Sequence, residues 1–153
     1  MVTDQWALES FRKKKLLPEG KFLLHDVVAE KKYNFSLAES LVRARSAPPV
    51  LTGKSVFATA SVVPMRADLS IIIECAGGAL LLTAPHAFDA DTLIVSCVTD
   101  EAQWKKLTAL GFAIHSNELL LSGILKQDLE LATGKHVLCA PAAAAHGKRA
   151  PRK

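Results

Sequence analysis

From residue 50 onward the sequence predicts an α/β domain built on a small, mainly parallel sheet covered on both faces. Three observations carry this. Short apolar runs recur at residues 55–60, 79–82, 92–97 and 112–115, the pattern of strands buried on both sides. Segments with helical spacing alternate with them in the order β-α-β-β-α-β-α, which calls for crossover helices on the sheet faces. Half of the 153 residues are hydrophobic and 22% are charged, a balance that fills a core and excludes wholesale disorder.

The elements follow in order. Thr3 caps a helix that runs to about Lys15, followed by Leu17-Pro18-Glu19-Gly20-Lys21-Phe22-Leu23-Leu24. Ser36 with Glu39 predicts a capping box for a helix over 37–45, with Leu37, Leu41 and Ala44 on one stripe and Ala47-Pro48-Pro49 as its stop. Residues 55–60 form the first strand. Leu69, Ile72, Ile73 and Ala76 repeat at i, i+3, i+4, i+7 and mark a helix that ends at Gly77-Gly78. A second strand at 79–82 and a loop at 85–91 lead to the central strand, 92–97 (Thr-Leu-Ile-Val-Ser-Cys). Thr99 is the expected cap of the next helix, with Asp100 and Glu101 at its positive end and Trp104 and Leu107 on its apolar side; it ends before Gly111. After a strand at 112–115, Ser116 caps a final helix with Leu120, Leu121, Ile124 and Leu125 inward.

Charge and cysteine content narrow the function classes. Nineteen bases oppose fifteen acids, but Lys148, Arg149, Arg152 and Lys153 lie in the last six residues; without those four the body is neutral. The pI near 9.1 therefore belongs to the tail, and the body does not read as a sequence-specific nucleic-acid binder. The tail itself fits nuclear import, phosphate contact or simple solubilisation. No apolar run is long enough for a membrane span, and Asp4 and Glu9 stand where an export signal would be apolar. Three cysteines, Cys75, Cys97 and Cys139, with no metal-ligand spacing suit a reducing compartment.

The chemistry-bearing motifs are weak. Thr52-Gly53-Lys54-Ser55 resembles the end of a phosphate-binding loop, but Pro48 stands where that loop needs Gly and the segment precedes a strand. Cys97, at a strand end, and Cys75, between helix residues, both read as buried and inert. His86, Asp89 and Asp91 share a loop without the spacing of a metal site, and His25-Asp26 reads as a surface pair in an extended linker. Arg12-Lys13-Lys14-Lys15 complements a helix end, and Trp6 and Trp104 read as core residues. No nucleophile–base or paired-carboxylate arrangement stands out, so no enzymatic activity and no cofactor are expected.

An internal repeat organises the chain. Thr3-Asp4-Gln5-Trp6-Ala7-Leu8-Glu9-Ser10-Phe11 aligns with Ser116-Asn117-Glu118-Leu119-Leu120-Leu121-Ser122-Gly123-Ile124 at a constant offset of 113. Gly20-Lys21-Phe22-Leu23-Leu24 then matches Gly134-Lys135-His136-Val137-Leu138 after one inserted residue. The N-terminal segment is expected to be the tail of a first repeat whose beginning is absent.

The repeat unit resembles a BRCT domain. Leu51-x-Gly53-Lys54-x-Val56-Phe57, Gly77-Gly78, the strand 92–97, the final helix and Trp6 carry the likeness, over nearly all of residues 1–138. Three strings narrow it to the C-terminal tandem BRCT pairs of the group that includes PTIP and the mediator of DNA damage checkpoint. These are Ala29-Glu30-Lys31-Lys32-Tyr33-Asn34-Phe35-Ser36-Leu37, Ile73-Glu74-Cys75-Ala76-Gly77-Gly78 and Leu121-Ser122-Gly123-Ile124-Leu125-Lys126-Gln127. Leu119, where a BRCT repeat has tryptophan, also looks like that subgroup.

The resemblance implies the BRCT fold, a four-stranded parallel sheet with two helices on one face and one on the other. It divides the chain into the end of a first repeat (1–25), an inter-repeat linker with a helix (26–49), a complete repeat (50–139) and a disordered basic tail (140–153). It further implies a nuclear, non-catalytic module of the DNA damage response that captures a phosphoserine protein or histone tail between two repeats. The phosphate would be held by the first repeat. The second-repeat side of the pocket for the residue three places after the phosphoserine falls, by motif position, on Pro64, Asn117, Glu118, Leu121 and Ser122. With most of the first repeat missing, these 153 residues are expected to lack the phosphate pocket. The same domain is appended to DNA ligases and polymerases, but no catalytic segment is seen in this sequence. A second reading, different in class, is a structural module that self-associates through an N-terminal helix exposing Trp6, Leu8 and Phe11.

Overall fold

The computed structural model describes residues 2–142. Four strands lie parallel: β1 (Ser55–Ala58), β2 (Ala79–Leu81), β3 (Thr92–Ser96) and β4 (Ile114–Ser116). A fifth, β5 (Val137–Cys139), pairs antiparallel with β4, and the order among the described residues is β2-β1-β3-β4-β5. Six α-helices among the described residues accompany them: α1 (Asp4–Arg12), α2 (Val27–Tyr33), α3 (Leu37–Ser46), α4 (Arg66–Cys75), α5 (Trp104–Ala109) and α6 (Glu118–Lys126).

Strand periodicity divides the core in two. Val56 and Ala58 of β1 and Leu93 and Val95 of β3 face Leu69 and Ile73 of α4 and Leu120 of α6. On the opposite face Phe57 and Ile94 meet Trp104 and Leu107 of α5, with Phe112 and Ile114. Two helices thus cover one face and one the other, as the family resemblance implies. At the end of α4 the chain turns through Gly77 (φ +84°) into Gly78, whose added Cβ would lie 2.9 Å from Leu51 Cβ. Only glycine lets the strand behind α4 run so close to the segment entering β1.

Several local expectations are corrected. Cys75 is exposed, because it is the last residue of α4 and points away from the stripe of Leu69 and Ile73. Cys97 is only half-buried. Thr99 does not cap a helix: residues 98–103 form a 3₁₀ turn kinked at Asp100, and α5 begins at Trp104. Ser116 belongs to β4, and neither Asn117, which precedes α6, nor Thr3, which precedes α1, caps its helix with a side chain. In α6 Leu119 and Leu120 are buried, whereas Leu121 and Leu125 are half-buried.

Residues 26–49, expected to hold one helix, hold two. Asp26 accepts Ala29 N at 2.9 Å to start α2, so His25-Asp26 is not an extended pair, and Asn34 ends α2 in the left-handed conformation. Only half of the capping box forms before α3: Ser36 Oγ accepts Glu39 N at 3.4 Å, but Glu30 takes Leu37 N and the Glu39 carboxylate goes to Arg43. The chain stays attached beyond residue 139, since Ala142 N donates to Thr108 O at 3.1 Å. The rest of the basic tail, 143–153, lies outside the described residues.

Ile73 and Leu120 are fully buried against β1 and β3. Ile73→Ala and Leu120→Ala are each expected to lower unfolding free energy by about 2–5 kcal/mol. Cys75→Ser should stay within about 0.5 kcal/mol of wild type. Urea denaturation midpoints measure all three.

Candidate functional site

The loop 59–65, between β1 and α4, and the start of α6 share one end of the sheet. Val62 anchors the loop in the core, leaving Val63 and Met65 exposed and Pro64 half-buried. Asn117 reaches across from the start of α6, its Nδ2 donating to the Val63 carbonyl. One turn on, Ser122 Oγ donates to the Glu118 carbonyl and lies 3.4 Å from His136 Nε2. Glu118 is exposed and Leu121 half-buried.

Of the five residues singled out from sequence, then, Asn117 is bonded to the peptide that carries Pro64, and Ser122 to the backbone of Glu118. Leu121 stands beside them on α6. The Val63 carbonyl and His136 join the same cluster without having been expected. His136 had one sequence signal, its place opposite Phe22 in the repeat alignment. His115, on β4, is buried with Nδ1 3.4 Å from Ile94 O. Burial holds its pKa below the ordinary value against the opposing pull of that carbonyl, and the nearby His136 charge lowers it further.

The other candidate motifs are occupied locally. Lys54 Nζ pairs with Asp91 Oδ1 at 2.6 Å. Asp89 accepts from Asp91 N and Thr92 Oγ1, which keeps its carboxyl below the usual range. Trp104 is core, its Nε1 donating to Ser96 Oγ at 2.7 Å, whereas Trp6 is half-buried and donates to Leu17 O at 2.8 Å. No helix among the described residues is long and apolar enough to cross a membrane.

The repeat seen in sequence is also geometric. Val2 bridges Leu23 antiparallel, as His115 on β4 pairs Val137 on β5. Thr3 N donates to Phe22 O at 2.8 Å, and Ser116 N donates to His136 O at 2.8 Å. The segment preceding α1 and the segment preceding α6 are thus each held by a returning chain at the corresponding position. Between the two, α3 packs on α6, and Arg43 Nη1 donates to Lys126 O at 2.8 Å at the end of α6. Lys126 is buried and pairs with Glu130 at 2.8 Å, which holds the Glu130 carboxyl below its usual range.

The BRCT domain family profile matches residues 49–134, more than half of the chain. The chain belongs to the BRCT domain family. It is 32% identical over 145 residues to PAX-interacting protein 1 (PTIP) of Bos taurus, covering 88% of this chain and 15% of that protein. To mediator of DNA damage checkpoint protein 1 of Mus musculus it is 33% identical over 128 residues, covering 84% of this chain and 7% of that one. The BRCT chain therefore spans less than a sixth of the length of these relatives. The BRCT5-BRCT6 domains of S. pombe Brc1 superpose with a TM-score of 0.69 at 19% identity, covering 85% of this chain and 68% of theirs. That likeness shows the fold. The BRCT family is in general one of non-catalytic interaction modules, and one of these relatives is by name a mediator of the DNA damage checkpoint.

The histidine geometry sets a pH dependence. A histidine held neutral binds fewer protons folded than unfolded, so stability is full above its ordinary pKa and declines as pH falls toward the lower folded value. Urea midpoints should drop between about pH 7.5 and 5.5, and His115→Gln should flatten that decline.

Proposed function

We propose that this BRCT chain is a non-catalytic protein-interaction module of the DNA damage response, of the tandem-repeat, phosphopeptide-reading type. In this reading residues 1–25 are the end of one repeat, 26–49 the linker and 50–139 a complete second repeat. The observation that carries it is the duplicated contact: Thr3–Phe22 with Val2–Leu23 at the start of the chain, and Ser116–His136 with His115–Val137 at its end. Two such units joined by α3 riding on α6 leave a cleft between repeats as the natural place for a peptide. Pro64, Asn117, Glu118, Leu121 and Ser122 supply the second repeat's side of it and select a side chain. A complete first repeat supplies the phosphate grip. The partner class is a phosphorylated nuclear protein, such as a histone tail, and the setting is chromatin.

Charge-assisted bonds dominate phosphate affinity, so the second repeat's side alone binds poorly. Calorimetric titration of these 153 residues with a phosphoserine peptide is expected to give a Kd weaker than about 100 μM, unchanged by dephosphorylation. A micromolar, phosphate-dependent affinity would contradict the division of labour between repeats.

A second reading, a self-associating structural module, is favoured by the apolar exposure of α1 and the turn after it: Leu8 is 58%, Phe11 85% and Leu16 75% exposed. It expects a weight-average mass that rises with concentration in analytical ultracentrifugation and returns to monomer in Phe11→Ser/Leu16→Ser. A concentration-independent monomer removes it.

A further inference from the structure

In this sheet the chain leaves β1 toward β2 and leaves β3 toward β4, so the connections diverge between β1 and β3. The carboxyl ends of those two strands are where an open parallel sheet presents its crevice. At this point a buried carboxylate is turned inward. Asp100, 7% exposed, breaks the 3₁₀ turn that follows β3 with non-helical angles (φ −101°, ψ 17°). Its Oδ2 accepts Ser61 N at 2.8 Å and its Oδ1 accepts Ser61 Oγ at 2.8 Å.

The Trp104 indole can only donate, and it donates to Ser96 Oγ. The Ser96 hydroxyl lies 2.9 Å from Thr59 Oγ1. Thr59 and Ser61 together hold the carboxyl below its usual range, with a weaker contribution from Cys97, whose Sγ is 3.9 Å away. These are the groups that face it from β1 and β3. Among the described residues no Lys, Arg or His nitrogen pairs with it within 4 Å. The carboxylate is therefore held by neutral donors on one loop, and nearly all of its bonding is spent on that loop.

The same loop is held a second time, two residues later, where Asn117 Nδ2 takes the Val63 carbonyl. We propose that Asp100 and Asn117 are positioning residues, a two-point clamp that fixes the loop 59–65 and so sets the Val63–Pro64–Met65 edge before any partner arrives. The assignment of that edge to peptide selection rests on the function proposed above; the clamp itself does not. Asp100 acts through Ser61 and touches no ligand.

Amide hydrogen exchange on the whole chain, followed by NMR, tests the clamp without any ligand. Asp100→Asn keeps the shape but puts an N–H₂ where an acceptor is needed. It is expected to speed exchange at Ser61 about tenfold or more while Ile94 and Val95, in the centre of the sheet, are unchanged. Asp89→Asn, a carboxylate on another loop, should leave Ser61 as in wild type. In wild type the Ser61 amide shift should titrate with one carboxyl midpoint below the ordinary range, and Asp100→Asn should abolish that step. Asn117→Ala should speed exchange at Val62, in the same loop, with Ile94 again unchanged. Ser61 exchange within twofold of wild type in Asp100→Asn would overturn the proposal. So would equal acceleration at Ile94, which would make Asp100 a residue of the fold as a whole. If the exchange pattern holds and a phosphopeptide study of the paired repeats finds no role for Pro64, the functional reading falls and the clamp stands.

Discussion

All five residues of β3 are buried, and the rest of the domain is a consequence of that burial. A strand with no solvent face needs helices on both sides, and helices reach both sides only as crossovers between parallel strands. Leu93 and Val95 are satisfied by α4 and α6, Ile94 by α5. Because β1, β3 and β4 all run the same way, their carboxyl ends fall on one edge. The loop after β1, the kinked turn after β3 and the start of α6 after β4 are therefore neighbours. Pro64, Asp100 and Asn117 come from three distant parts of the sequence and meet there because β3 is central.

The second organising feature is the end of the unit. A returning strand closes β4, and a similar return closes the segment before α1. The helix α3 bridges these two places by packing on α6, where Arg43 bonds a carbonyl at the helix end and Lys126 is pinned by Glu130. Arg43 satisfies the Lys126 carbonyl and so ties α3 to the end of α6, a spot where a helix otherwise needs water or a cap. Leu8 and Phe11 of α1 stay exposed.

Much of this is legible in the sequence because its strongest signals are tertiary in origin. The unbroken run Thr-Leu-Ile-Val-Ser marks a strand buried on both faces, and Gly77-Gly78 marks a close approach that only glycine permits. The repeat at offset 113 shows that two helix starts are alike. What is not legible is whatever depends on a distant partner. The strand β5 is three residues long, mostly exposed, and pairs with β4. The helix α2 begins Val-Val, a poor helix start, and persists through its Asp26 and Asn34 caps and through Glu30, which bonds Leu37 N. Thr99 and Ser116 do not cap helices for a related reason: the residues that follow them, Asp100 and Asn117, direct their side chains to the loop after β1. In the candidate site, motif position locates Asn117 and Ser122, but no local pattern gives the Val63 carbonyl, His136 or Ser61, which arrive there through the fold.

The central claim is that the chain contains one complete BRCT repeat preceded by the matching end of another. Long-range proton contacts in the NMR spectrum of the uniformly labelled chain test it most directly. The account predicts cross-chain contacts between Val2–Thr3 and Phe22–Leu23 as well as between His115–Ser116 and His136–Val137, and contacts between α3 and α6. Finding the second set with no contact at all between Thr3 and Phe22 would contradict it.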